Sequence, residues 1–207
     1  MLLTKDIKEA LRRAVEKASH FPYSKKINSF KSAKFVEELG NMFRKMYPDF
    51  AVLHQSVNDD GRKKITGEWL YDLVICKMKN IQEDKSNAVL YYDLQWVVES
   101  EYNTSLKETL IDFSKVLCSK SNNILYLNGY ASTNKRCFYE YRIRRLDTIE
   151  SIIFENEIKA NIYYCFWPSP QKTARSSSFW NENISVLLEI VRLYKYDKIT
   201  EKFLDLD

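Results

Sequence analysis

"GEWLYDLVICK" (residues 67–77) and "NAVLYYDLQWVVESEY" (residues 87–102) are the two longest segments with strand character in the chain. Both are rich in β-branched and aromatic residues, and their lengths suit β-strands. The polar stretch between them, Met78–Ser86, predicts a connecting loop. We therefore expect two neighbouring antiparallel strands at the centre of the fold.

Side chains that alternate along these strands separate an apolar face from a more polar one. Asp72 lies on the polar face of the first strand, and Glu99 and Glu101 lie on that of the second. The apolar face carries Trp69, Tyr71, Leu73, Ile75, Leu90, Tyr92, Leu94, Trp96 and Val98. If both apolar faces join one core, the three carboxylates project from the same side of the sheet.

The composition is that of a globular protein with a single domain over residues 1–207. Hydrophobic residues make up 45% of the chain, and with only 4 glycines and 4 prolines a disordered or linker-rich class is excluded. No apolar run has the length of a membrane span, and charged residues begin early at the N-terminus. We therefore expect a cytoplasmic protein that does not associate with a membrane.

The sequence disfavours several kinds of catalytic and metal-binding site. Four scattered cysteines and two histidines disfavour a structural zinc site, a Ser-His-Asp triad and a Cys-His pair. The glycines are isolated, so a Gly-rich phosphate loop is excluded. The first 45 residues carry eleven Lys or Arg against five Asp or Glu, which suits contact with a polyanion such as DNA, although solvated helices also explain such charges.

The periodicity of apolar residues predicts the remaining elements. Helices are expected over residues 4–19, 29–47, 103–120, 134–156 and 179–200, and further strands over residues 49–57, 122–130 and 161–168. The order helix, helix, three strands, helix, strand, helix, strand, helix predicts an α/β fold. Its mixed central sheet would be flanked by helices on both faces.

The three carboxylates of the polar face indicate a metal site. Acids within strands this apolar are costly to bury unless they meet water, a cation or a metal. Because three acids on one face repel each other, a divalent cation with hard oxygen ligands would relieve the repulsion. A solvated sheet face is the alternative explanation. We expect Asp72 and Glu99 to hold Mg²⁺, or Mn²⁺ in its place, with Glu101 and Glu38 assisting.

The order of elements around Asp72 and Glu99-Ser100-Glu101 resembles the core of the PD-(D/E)XK nuclease superfamily, the restriction-endonuclease-like fold, over about residues 30–130. The resemblance implies that an Asp, and an acid two residues before a lysine, bind Mg²⁺ while the lysine positions the attacking water. Glu101 stands at that lysine position here. "DFSKV" at Asp112–Val116 is similar to a helix motif of nuclease-like proteins with an "ExE" strand end, which implies Lys115 as a relocated lysine.

The identity of the lysine stays open at this point. Helical counting places Lys115 opposite the predicted apolar stripe of its helix, where a lysine faces solvent. That stripe consists of Leu106, Leu110, Phe113 and Leu117. Lys107 is the main rival, and Lys77 and Lys79 are weaker ones.

The function implied is that of a metal-dependent DNA endonuclease of a restriction or defence type, working as a homodimer and hydrolysing phosphodiester bonds by in-line displacement. The missing strand lysine leaves an alternative, a catalytically inactive protein of nuclease fold that binds nucleic acid or a protein partner. Cations on two polar loops would contact DNA phosphates in either case. They are Arg62, Lys63, Lys64, Lys172 and Arg175.

Overall fold

The computed structural model describes residues 2–19, 27–54, 56–57, 63–64, 70–83, 86–130, 135–169 and 184–207. The helices in these ranges are α1 Thr4–Ala18, α2 Ile27–Met46, α3 Leu106–Leu117, α4 Lys135–Phe154 and α5 Ile184–Ile190. The strands are β1 Ala51–His54, β2 Ser56–Val57, β3 Lys63–Lys64, β4 Leu73–Glu83, β5 Ser86–Glu101, β6 Asn123–Tyr130, β7 Asn161–Pro168, β8 Arg192–Asp197 and β9 Lys202–Asp205.

Seven of these strands form one sheet in the order β1-β4-β5-β6-β7-β8-β9. The central strands β5, β6 and β7 are parallel, and the flanking pairs on both sides are antiparallel. Helices α3 and α4 follow β5 and β6 and return the chain to the next parallel strand, as a parallel connection requires. The predicted α/β class with a mixed sheet is confirmed.

Helices pack on both faces of this sheet. On the first face, Leu11 of α1 and Phe35 of α2 share an apolar cluster with Leu73 and Trp96 of the sheet. A second cluster contains residues of α3 and α4 and the opposite side chains of β5, β6 and β7, and its members include Val97, Phe113, Ile124, Ile149 and Tyr164. The first face is called the α1/α2 face below, and the second the α3/α4 face.

The predicted loop at Met78–Ser86 is wrong. Strand β4 continues to Glu83 and β5 begins at Ser86, so the pairing extends along a two-stranded ribbon. Side chains of residues 77–82 and 88–90 are exposed. Because backbone hydrogen bonds hold the ribbon together, its polar side chains do not interrupt the strands.

Irregular pairing also changes two predicted side-chain directions. The register between β4 and β5 shifts on both sides of Cys76, and Asp93 opposite this point has a φ of 52°. Such a bulge reverses the alternation, so Leu94 packs on the α3/α4 face although Trp96 packs on the other. Tyr71 also packs on the α3/α4 face. It lies before β4, which begins at Leu73, so the alternation of side chains along the strand does not extend to it.

The C-terminal segment differs from the predicted single helix over residues 179–200. Only α5 is helical among the described residues there, and β8 and β9 follow it. Leu193, Tyr194 and Tyr196 are buried in β8, which pairs with the edge of β7. Aromatic and aliphatic residues in a short run suit a strand as well as a helix, and the neighbouring strand edge decides between them. No helix in the described part of the chain has the length and apolar character to cross a membrane.

Candidate active site

The three predicted carboxylates come from the same region of the α3/α4 face. Asp72 immediately precedes β4, while Glu99 and Glu101 lie at the end of β5. Since Leu73 pairs with Val98 in the antiparallel register, Asp72 and Glu99 are neighbours across the two strands. Leu73 and Val98 themselves belong to the core of the α1/α2 face, so the adjacent acids point the other way.

Two crossed hydrogen bonds fix Asp72 against Glu99. The backbone N–H of Ser100 donates to Oδ2 of Asp72 at 2.9 Å, and the backbone N–H of Asp72 donates to Oε2 of Glu99 at 3.4 Å. Glu99 is only 5% exposed. The structure therefore brings these two carboxylates together, with Glu99 buried and Asp72 partly buried.

Lys115 completes this pair from helix α3. Its Nζ donates to Oε1 of Glu99 and lies 3.8 Å from Oδ1 of Asp112. Helix α3 begins after Ser105, whose hydroxyl accepts a hydrogen bond from the N–H of Glu108 at 3.2 Å. This cap and the packing of α3 on β5 and β6 determine which side of the helix meets the sheet.

The helical count that placed Lys115 toward solvent is wrong because α3 is rotated about its axis relative to the predicted stripe. The buried residues of α3 are Thr109, Phe113 and Val116, whereas Leu106 is 46% exposed. This rotation moves Lys115 toward Glu99. The rival Lys107 is exposed, and Lys77 pairs with Asp93 at 2.7 Å in the ribbon.

The environment of Glu99 favours its neutral form. Burial raises the pKa of Glu99 to about 8, the neighbouring charge of Asp72 adds to the rise, and the hydrogen bond from Lys115 opposes it. Burial alone would disfavour the ammonium of Lys115, yet the hydrogen bond to Glu99 and its charge raise the pKa of Lys115 above the usual value. Ionised Glu99 thus strengthens the hold of Lys115 on its proton, while burial and Asp72 favour uptake of a proton by Glu99 itself.

Glu101 belongs to a second group of acids beside the first. Burial raises the pKa of Glu101 to about 7, the N–H of Asn103 opposes the rise, and a hydrogen bond with Asp112 adds to it. Sequence reasoning missed Asp112 as a site residue. Its position three residues before Lys115 was the available signal, because residues at that spacing lie on the same side of a helix.

The other predicted site residues do not join these groups. Glu38 lies on α2, which packs on the α1/α2 face, and its carboxylate accepts hydrogen bonds from Lys17 and from Asn41. Lys17 and Asn41 thus bind its carboxylate, and its expected part in a common metal site stays a prediction. The sequence also predicts that five basic residues contact DNA phosphates. Arg62, Lys172 and Arg175 lie outside the described residues, and Lys63 and Lys64 form the short strand β3, paired with β2 apart from the main sheet.

The chemistry of the remaining donors fits a divalent cation bound by two carboxylates. Within the described ranges, no group of three or more His, Cys, Asp or Glu residues is arranged to hold a metal ion. Mg²⁺ in phosphoryl-transfer sites is commonly held by one or two carboxylates, with water and substrate oxygens as the other ligands. Asp72 and Glu99 supply two hard oxygen ligands side by side, and their mutual repulsion is the kind that a cation relieves.

Comparison with known proteins adds nothing to this geometry. No protein-family model, curated protein or solved structure shows significant similarity to the chain. The resemblance to the PD-(D/E)XK superfamily therefore depends on the motifs and on the order of elements alone.

Proposed function

We propose that the chain is a metal-dependent nuclease that hydrolyses phosphodiester bonds, with DNA as its substrate. The observation that carries the proposal is the contact of Lys115 with Glu99 beside Asp72, where the antiparallel part of the sheet meets its parallel part. An ammonium next to two carboxylates is the combination that phosphoryl transfer uses to balance charge during the reaction.

Each residue of this group has a role that follows from its contacts. Asp72 and Glu99 would hold Mg²⁺, which, when bound, supplies Lewis-acid polarisation of a phosphate oxygen and lowers the pKa of a coordinated water. Lys115 is directed by Glu99 and stays protonated, so its Nζ can donate to the attacking water or to a non-bridging phosphate oxygen. The N–H of Ser100 keeps the Asp72 carboxylate oriented.

The test is cleavage of supercoiled plasmid DNA with and without Mg²⁺. We expect nicked or linear product for the wild type, and none above background for Asp72→Asn, which keeps the size of the side chain. Asp49→Asn is the matched control, because Asp49 is exposed and lies outside the site. Equal cleavage by Asp72→Asn and wild type, with both proteins folded by circular dichroism, would contradict the proposal.

A second candidate function is binding without catalysis. It is favoured by the pairing of Glu101 with Asp112, which leaves two rather than three acids arranged as ligands beside Lys115. A binding protein of this kind would retain DNA on a column with steep salt dependence and would yield no product at any Mg²⁺ concentration.

A further inference from the structure

A cavity of about 510 Å³ lies between the start of α3 and the middle of α4. Its lining residues are Leu106, Tyr141, Arg144, Arg145, Asp147 and Thr148. Two arginines face a single acid in this set. The cavity is thus positively charged, and the site described above does not include it.

Arg145 is the unusual member of this lining. The side chain is only 6% exposed, and its Nη2 donates to the carbonyl oxygen of Thr104 at 3.1 Å and to the hydroxyl of Tyr141 at 3.2 Å. Its Nη1 is buried and has no hydrogen-bond partner among the described residues, none of which offers a carboxylate to this guanidinium. Because a buried charge without a counter-charge is costly, this arginine indicates an anion that the chain itself does not supply.

Two further features favour an anion in the same cavity. Arg144 is exposed, and its Nε donates to the carbonyl oxygen of Glu140 at 3.3 Å, so its two Nη groups are available to a ligand. Leu106, the first residue of α3, brings the positive end of that helix to the cavity wall. Asp147 offsets part of this charge, and the balance remains positive.

The cavity adjoins the candidate active site through a short chain of contacts. The hydroxyl of Tyr141, which accepts from Arg145, donates to Oδ1 of Asn128 at 3.3 Å. Asn128 is the partner of Glu101 in the parallel register of β5 and β6. An anion in the cavity would therefore lie beside the carboxyl ends of these strands, on the same face as Lys115.

We infer that this cavity binds a phosphate group, supplied by the backbone of the DNA strand close to the one that is cut. The guanidinium groups of two arginines match the several acceptor oxygens of a phosphate, and a cavity of this size admits one with part of its sugar. The inference of a bound phosphate group depends only on the cavity, whereas DNA as the source of that phosphate depends on the proposed function.

The first experiment uses inorganic phosphate and the full chain in EDTA. Phosphate should raise the Tm of the wild type by about 3 °C at saturation, relative to chloride at equal ionic strength. Arg144→Gln should weaken the apparent phosphate affinity by about tenfold, since one charged hydrogen-bond donor group is lost. Arg145→Gln should abolish the shift. Arg136→Gln, on the same helix with a side chain that is 90% exposed, should respond as the wild type does.

Arg145→Gln also loses contacts with Thr104 and Tyr141, so its fold is checked by circular dichroism. If this variant is unfolded, Arg144→Gln decides the question, because its side chain is exposed. The absence of a phosphate shift in the wild type, or an equal shift in Arg144→Gln and wild type, would overturn the inference, whether or not the plasmid is cleaved.

The second experiment identifies the source of the phosphate. Binding of a DNA duplex in EDTA is measured over a range of salt, and Arg144→Gln should reduce the slope of log K against log salt by about 0.9, the value for one phosphate contact. Arg136→Gln should leave the slope unchanged. A slope that Arg144→Gln does not alter, or that both variants alter equally, would overturn DNA as the source and would indicate a free phosphorylated ligand if the phosphate shift is present.

Discussion

Glu99→Gln should stabilise the protein at neutral pH in the absence of divalent cations. The side chain is 5% exposed and lies against the charge of Asp72. Glutamine has the same shape and keeps an oxygen that can accept from Lys115, yet it cannot ionise. In the folded protein the buried Glu99 carboxyl is either protonated or ionised with an imperfectly balanced charge. The substitution removes this carboxyl.

The magnitude follows from the pKa of Glu99. Since a tenfold change in proton affinity corresponds to about 1.4 kcal/mol, a rise of the pKa from 4.5 to about 8 destabilises the fold by about 3 kcal/mol at pH 7. The unfolded chain releases this proton above about pH 4.5, whereas the folded protein retains it up to about pH 8. Wild-type stability should thus fall through this window. Because a glutamine side chain has one acceptor oxygen, whereas the two oxygens of Glu99 accept from Lys115 and from the N–H of Asp72, part of this gain is lost, and we expect a net gain of about 1–3 kcal/mol at pH 7.5.

The assay is urea unfolding in EDTA at several values of pH, with the midpoint and slope fitted for each protein. The advantage of Glu99→Gln should be close to zero at pH 4.5 and should grow as the pH rises. Glu157→Gln, which changes an exposed carboxylate, is the control and should match the wild type throughout. A variant that is less stable than the wild type at pH 8, or a difference that does not vary with pH, would refute the reasoning.

Two further predictions concern the lysine and the backbone near the site. Lys115→Met should lower the rate of plasmid cleavage by about 10²–10³-fold, because no other described ammonium contacts Glu99. DNA binding in EDTA should change little. A rate within threefold of the wild type would exclude this lysine from the reaction. Gly129→Ala should lower the Tm by several degrees, since a Cβ atom there would lie 2.8 Å from the backbone oxygen of Tyr102 and 2.9 Å from its Cα; an unchanged Tm would show that this backbone contact relaxes freely.

Among the strands, β6 and β7, in which burial is nearly uniform, agree best with the sequence prediction. Strand β7 occupies residues 161–168 as predicted, and every residue after Asn161 in it is buried. A continuous apolar run of strand length, rich in aromatic residues and bounded by polar ones, is consistent with a buried strand. The ribbon of β4 and β5 gives no such signal, because its side chains face solvent on both sides and its backbone pairing leaves no trace in the pattern of hydrophobic residues.

The candidate site was predictable only in part for a related reason. Alternation along two strands suffices to place Asp72 and Glu99 on one face, since the register near Leu73 and Val98 is regular. The rotation of α3 is different, because it depends on the shape of the surface that the helix covers. Leu106 and Phe113 are equally apolar in sequence, yet only Phe113 finds a place between the rings of Tyr126 and Tyr164.

The charge balance of the site favours a functional over a purely structural explanation of its acids. Among the described residues, the carboxyl groups of Asp72, Glu99 and Asp112 act on one ammonium, that of Lys115, and Glu101 hydrogen-bonds with Asp112. An ion pair that served stability alone would need a single acid. Burial is the main cause that raises the pKa of Glu99 and of Glu101, and the neighbouring carboxyls of Asp72 and Asp112 add to the rise instead of adding stability. Such a group can lower its excess charge by holding protons or by binding a cation. The protons are held only up to about pH 7 to 8, so this group of acids destabilises the fold at neutral pH unless a cation is bound. The residues responsible for this destabilisation are those that the proposed reaction requires.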